Sequence, residues 1–444
     1  MFGNICGGHS HVSAATNEAR MRELIQQLER AGAAGSAGDV VRLLKQAELL
    51  APEHPMVLNA AAVQKLNAGD AAAAKVLLER AISKDDKNPA FWINLASTYR
   101  NLQQPDAEMN AIEQALKLEP RYLIALLQKA SLLELQGKQR AAAKVYQNAL
   151  QILSPGAKLP PFLKGQIDRA IEAVRADQTA LESFLNEKLL AVRVAHSGEK
   201  QNRFEHSIDA LLGKRAIYRP QPTLMYFPKI PAWEFHDRDA FAWLDEIEAA
   251  TVDIRAEFER VFVEDAKDLE PYIAYPDGVP LDQWSELNRS RRWSAFYLWR
   301  EGQPNKQHLA RCPITAAILA KAPQVHVPEH GPTAFFSILD AKTRIPPHTG
   351  VTNTRLVVHL PLVIPPGCGF RVGSETREWQ LGRAWVFDDT IEHEAWNNGE
   401  MPRAILIFDI WNPYLTAAER DLVRAAVEGI SVYYREEAPL SGLI

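Results

Sequence analysis

HTGVTNTRLVVHLPL, residues 348–362, and WVFDDTIEHEAWNNGEMPRAILIFDIW, residues 385–411, read as short β-strands separated by turns. Both are dense in Val, Ile, Phe and Trp, and turn residues recur at short intervals. Strands are expected at about 335–339, 356–362, 369–372, 384–388 and 404–410, with turns at Pro365-Pro366-Gly367 and Val372-Gly373-Ser374. Short strands at this density predict a double-stranded β-helix, or jelly roll, whose interior can hold a small ligand.

The polar residues of the same window predict what that interior holds. His348 and His393 lie 45 residues apart, and neutral imidazole nitrogen is a good ligand for Fe(II). Two histidines and one acid is the usual non-haem iron set; here Gly350 stands where the acid would follow His348. If His393 ends one strand and Arg403 begins the next, both point into one barrel mouth, where a guanidinium can clamp a carboxylate in bidentate fashion. Alternation places Arg355, Val357 and His359 on one strand face, so His359 can serve a second carboxylate. A metal flanked by two carboxylate-binding groups suits a dicarboxylate such as 2-oxoglutarate. The plainer alternatives are satisfied structural histidines and, for Arg403, a structural ion pair. Asp388, Asp389, Glu392 or Glu394 could supply a carboxylate ligand, although Asp388 and Asp389 better suit shaping the turn before His393 or orienting it. Cys368 reads as a small strand hydrophobe.

Toward the N-terminus the chain repeats. Ala47, Ala81, Ala115 and Ala149 are spaced by 34 residues, as are Ala62, Ala96 and Ala130, and Leu58, Trp92 and Leu126. Asp39, Ala73, Ala107 and Ala141 keep the same period. Gly35, Gly69 and Gly137 mark the turn within a unit, with Gln103 in the glycine's place once, and Pro52, Asp86 and Pro120 mark the junctions. This resembles the tetratricopeptide repeat, with about four helix–turn–helix units over residues 18–155. Such a solenoid implies a groove for a protein or peptide partner.

The totals set limits. A chain of 444 residues implies two or three domains, and a formal charge of −5 argues against a nucleic-acid partner. Cys6, Cys312 and Cys368 suit no disulfide framework, no signal peptide is expected, and no apolar run is long enough to span a membrane. The expectation is a soluble cytoplasmic protein. A helical linker or cap is expected over residues 156–215, with a long helix from Phe162 to Ala195, and the last domain over 216–444. Within that domain a helix is expected from Arg238 to Val263, and a C-terminal helix with a Thr416/Glu419 capping box and a stop at Gly429. Arg289, Arg291 and Arg292 are either a solvated cluster or part of an anionic pocket.

Together the motifs resemble the aspartyl/asparaginyl β-hydroxylase family. Those carrying the resemblance are HTGxTNxRL from His348 to Leu356, HLxLVIP from His359 to Pro365, FDDxxEHExW from Phe387 to Trp396 and IxDIWxP from Ile407 to Pro413. The resemblance covers about residues 220–425. It implies an Fe(II)- and 2-oxoglutarate-dependent dioxygenase that consumes O2, a jelly roll with flanking helices, and repeats preceding it, as in animal members. It places His348 and His393 on the metal ligands, with water completing the sphere in place of an acid. It places Arg403 and Ser337 on the distal carboxylate of 2-oxoglutarate, and His359 near the metal-side carboxylate. Basic substrate-binding residues of animal members fall on Val357, Phe335 and Asn288, so the prime substrate does not carry over. The alternatives are a repeat-based scaffold with a silent oxygenase domain, and an iron enzyme that acts on a lipid acyl chain or as a halogenase.

Overall fold

The computed structural model describes residues 9–434 apart from 34, 155, 157 and 158. The chain forms two compact units, one up to Lys200 and one from Gln201.

The first unit is helical. Its helices pair as α1 (His9–Ala33) with α2 (Ala37–Leu50), α3 (Pro55–Asn67) with α4 (Ala71–Lys84), α5 (Pro89–Asn101) with α6 (Pro105–Leu118) and α7 (Leu123–Leu135) with α8 (Gln139–Leu150). The first turns of α9 (Pro161–Ala195) close the last pair, with Leu163, Ile167 and Ala170 buried against α8. Ala47, Ala62, Ala81, Ala96, Ala115, Ala130 and Ala149 are all fully buried, because a methyl group is the largest side chain that lets two helices approach this closely. The set Asp39, Ala73, Ala107 and Ala141 is not core. The buried position is one residue later, at Ala74, Glu108 and Ala142. Glu108 is held by Arg100, whose Nη2 lies 2.6 Å from Oε1. The turn between paired helices needs left-handed backbone. Gly35, Gly69 and Gly137 supply it at φ +69°, +81° and +74°, and Gln103 adopts φ +58° at the same place.

The second unit opens with α10 (Asn202–Leu211), followed by α11 (Leu244–Ala249) and α12 (Thr251–Glu264). The single helix expected over 238–263 is therefore broken. Phe241 is non-helical (φ −134°, ψ 70°) and buried, and the Thr251 hydroxyl donates to the Glu248 carbonyl at 2.6 Å, which ends one helix and starts another. The elements that follow are β1 (Glu270–Pro271), β2 (Trp293–Arg300), β3 (Gln303–Pro304), α13 (Lys306–Arg311), α14 (Pro313–Leu319), β4 (Ala334–Leu339), β5 (Thr343–His348), β6 (Arg355–Val363), β7 (Cys368–Val372), β8 (Glu375–Arg377), β9 (Trp385–Phe387), β10 (His393–Asn397), β11 (Arg403–Trp411) and α15 (Ala417–Tyr434).

The strands form two antiparallel sheets. One is ordered β1-β2-β4-β11-β6-β9, with β3 on β2; the other is β5-β10-β7-β8. Alternation divides the large sheet into two faces. Phe296, Phe336, Ile338, Val358, Leu360, Leu406 and Phe408 pack against α11, α12 and α14. Trp293, Leu339 and Ile405 belong to a second core with Phe370, Val372 and Ala395 of the small sheet. Sheet-on-sheet packing of this kind is the jelly-roll arrangement.

Of two expectations at the ends of α15, one is corrected and one is found as expected. Gly429 does not stop α15, because Val427 and Ser431 on either side of it are both buried and His330 Nε2 lies 2.8 Å from Ser431 Oγ. The Thr416/Glu419 capping box is present: Thr416 N–H donates to Glu419 Oε2 at 2.8 Å, and Glu419 N–H to Thr416 Oγ1 at 3.2 Å.

Candidate active site

The space between the sheets contains a cavity of about 450 Å³. His348, His393, His359, Ser337 and Arg403 all line it, and so do Val357, Phe335, Arg355 and Asp389.

His348 is the last residue of β5 and His393 the first of β10, where the two are directly paired across strands. His393 thus begins a strand instead of ending one. A register shift between His393 and Ala395 turns its ring toward that of His348. The ring centroids are 4.0 Å apart at 52°. His348 Nδ1 lies 2.8 Å from the Pro346 carbonyl, and His393 Nδ1 3.0 Å from the Ile391 carbonyl. A carbonyl only accepts, so each Nδ1 carries the proton and each Nε2 keeps its lone pair. Burial pulls His348 down to about 4; burial and the His348 ring pull His393 well below the usual imidazole range. Both rings are therefore neutral at pH 7, the form that binds a metal.

Both strands are held in register by Glu394, whose carboxylate accepts from Arg371 Nε at 2.6 Å on β7 and from Arg344 on β5. Among the described residues no group of three His, Cys, Asp or Glu side chains is placed to hold a metal. Residue 350, two after His348, offers no side chain. The reason lies in Asp389. Its carbonyl accepts from Gly350 N–H at 2.7 Å, and a Cβ at residue 350 would collide with its carboxylate. Asp389 Oδ1 is buried with no hydrogen-bond partner, and burial pushes this carboxyl up to about 7. Asp388 shapes the turn, its Oδ1 accepting from Thr390 N–H at 3.0 Å and Oγ1 at 2.6 Å. Sequence patterning gave no sign that Asp389 would fill the space beside Gly350, because that contact joins two loops.

Arg403 starts β11 and is 2% exposed, yet its Nη1 has no hydrogen-bond partner. Desolvation pulls its guanidinium down to about 10. An unpaired buried cation costs several kcal/mol, so this geometry suits a site completed by an anion. Ser337 lies opposite Ile405 on the neighbouring strand, fully buried, and its Oγ accepts from Trp293 Nε1 at 3.1 Å. His359 lies opposite Ile407 on β6, its Nδ1 also unpartnered. Burial, reinforced by Arg403, drives its imidazole well below the usual range. The chemistry of this set fits a dicarboxylate: a cation and a hydroxyl at one end, an imidazole nearer the histidine pair.

Other sequence-marked residues fall elsewhere. Asn288 does not line the cavity; its Oδ1 accepts from Tyr275 N–H at 2.8 Å. Neither do Arg289, Arg291 and Arg292. Arg289 pairs with Asp277 at 3.1 Å, and Arg292 Nη2 donates to the Lys342 carbonyl at 2.7 Å. Cys368 Sγ lies 3.4 Å from Asn397 Oδ1, half-buried on β7.

The comparisons with known proteins agree with this architecture. A family model described as aspartyl/asparaginyl beta-hydroxylase matches residues 248–413, and a tetratricopeptide-repeat model matches residues 89–122. The aspartyl/asparaginyl beta-hydroxylase of Mus musculus is 40% identical over 144 residues, 32% of this chain and 19% of that protein. The ornithine lipid ester-linked acyl 2-hydroxylase of Rhizobium tropici is 30% identical over 217 residues, 45% of this chain and 73% of that protein. Aspartate beta-hydroxylase domain-containing protein 2 of Homo sapiens is 31% identical over 206 residues, 45% of this chain and 53% of that protein. The chain belongs to the aspartyl/asparaginyl β-hydroxylase family, a family of 2-oxoglutarate-dependent hydroxylases, and carries a tetratricopeptide-repeat region before the oxygenase domain. The matched segment spans about a fifth of the mouse and human hydroxylases. Among the described residues no helix is long and apolar enough to cross a membrane.

Proposed function

We propose that this chain is an Fe(II)- and 2-oxoglutarate-dependent dioxygenase that hydroxylates an unactivated carbon, releasing succinate and CO2. The β-carbon of an Asp- or Asn-like residue in a peptide, protein or amino acid is the target that family membership favours. The observation that carries the reading is the pairing of two neutral, Nδ1-tethered histidines with an unpaired buried arginine in one cavity. His348 and His393 would hold Fe(II) through Nε2. Arg403 and Ser337 would hold the far carboxylate of 2-oxoglutarate, and His359 would lie against the near one. Iron, 2-oxoglutarate and O2 together supply the oxidising power, and the protein supplies binding, orientation and a site closed to water. The aromatic lining, Trp293, Phe370 and Phe387, would serve the last of these tasks. The repeats would bring a protein or peptide partner.

Addition of Fe(II) and 2-oxoglutarate under nitrogen tests the reading. It should produce a visible charge-transfer band that is lost in His348→Ala and weakened in Arg403→Ala. With neither a band nor succinate on admitting O2, the domain is a silent barrel on a repeat scaffold. A lipid acyl chain is the second reading, favoured by the Rhizobium relative, of which this chain covers 73%. Halogenation is disfavoured, because the Asp389 carboxylate fills the space beside Gly350 that a halide would need.

A further inference from the structure

On the hydroxylase reading, the cavity has two ends that the strand register separates. Arg403, Ser337 and His359 mark the co-substrate end. One pleat step along the same strand faces lie Phe335, two residues from Ser337, and Val357, two residues from His359. They stand on either side of β11: Phe335 is the cross-strand partner of Ile407, and Val357, one step beyond His359, is that of Asp409. Successive same-face residues are about 6.6 Å apart, so these side chains form the wall next to the co-substrate. The wall is aromatic. Phe335 is stacked by Tyr272 at 5.3 Å, and Tyr297 lies against it at 5.2 Å.

A substrate carboxylate at this wall would need a cation. Three arginines line the cavity. Arg300 is paired with Glu270 at 2.8 Å, and Arg355 with Asp409 at 3.1 Å. Arg403 alone lacks an acidic partner among the described residues, and it belongs to the co-substrate end. Asp409 neutralises Arg355, its Oδ1 accepting from Thr333 N–H at 3.1 Å while Oδ2 accepts from Nη1; Arg355 Nε is left buried without a partner. A carboxylate placed between Val357 and Phe335 would be desolvated with no cation beside it except Arg355, whose charge Asp409 already balances.

We propose that the side chain oxidised here is uncharged, an amide or an aliphatic group and not a carboxylate, and that Val357 and Phe335 make this selection. The proposal rests on the hydroxylase reading, and the test separates the two. Three short peptides that differ only in a central Asp, Asn or Leu are titrated, under nitrogen, into the full chain loaded with Fe(II) and 2-oxoglutarate. Their binding is followed by calorimetry. Succinate and the mass of one added oxygen atom are then measured in air.

The Asn or the Leu peptide should bind at least about tenfold tighter than the Asp peptide. Val357→Arg should reverse the order, and Phe335→Lys should move it the same way. If the Asp peptide binds as tightly as the others, if none of the three binds, or if Val357→Arg leaves the order as it was, the proposal is overturned while the charge-transfer band still stands. Absence of that band in the unsubstituted chain overturns the hydroxylase reading first, and the substrate assignment with it.

Discussion

At residue 350 a side chain and the Asp389 carboxylate compete for one space. Gly350→Asp, which would restore the usual two-histidine, one-acid set, is therefore expected to lower both stability and iron binding. The overpacking should cost about 1–3 kcal/mol in thermal or denaturant unfolding, and a second substitution, Asp389→Gly, should recover most of it. A second residue-scale expectation concerns acid. His236 is 7% exposed, both ring nitrogens are without partners, and burial holds it down at about 4, against an ordinary value of 6.5. The folded state thus binds its proton more weakly than the unfolded state. The contribution of the neutral ring is complete above pH 6.5 and is lost as pH falls toward 4. At about 1.4 kcal/mol per unit, the loss approaches about 3 kcal/mol. In His236→Leu, unfolding measured at pH 7.5 and pH 5 should show a smaller difference than in the unsubstituted chain.

The elements themselves carry the signs of where patterning suffices. In the repeats a 34-residue period sets both the alanine contacts and the turn glycines, because each unit meets the same neighbours. Gln103 is the exception, held at φ +58° where the other units have glycine. Gln103→Gly relieves a left-handed side chain, a gain of about 1–2 kcal/mol, offset by the greater freedom glycine has when unfolded. The net expectation is an unfolding free energy raised by up to about 1 kcal/mol in chemical denaturation. In the barrel, alternation placed Val357 and His359 together correctly, since each strand face is buried against a different partner. Patterning failed where a strand has no repeating signal of its own. β5 contains Pro346 and Pro347, which hide a strand that pairs on one side only, with β10. For the same reason, the direct cross-strand pairing of His348 with His393 could not be read from their spacing. Nor could the contact of Asp389 with Gly350, or the pairing of Arg355 with Asp409, since both depend on which strands and loops become neighbours.

For the whole molecule, binding and folding are linked. Fe(II) and 2-oxoglutarate under nitrogen should stabilise the unit from Gln201 onward by about 2.7 kcal/mol at a hundredfold excess over Kd. Scanning calorimetry should show this as a raised transition. Arg403→Ala should lose the 2-oxoglutarate part of the rise and keep the metal part. The helical unit faces a different problem. A chain built from near-identical modules can dock the wrong module against its neighbour, a common fault of repeat proteins. Where two other units have alanine, the third buries Glu108 and satisfies it with Arg100, whose Nη2 also reaches the Gln128 carbonyl of the next unit at 3.2 Å. One repeat to either side, the arginine's place is taken by Leu66 or Glu134. With α6 docked against the equivalent helix of a neighbouring hairpin, α3 or α7, the buried carboxylate would therefore be stranded against a hydrocarbon or another acid. The ion pair gives interchangeable parts a serial number, and only one order of assembly reads it correctly.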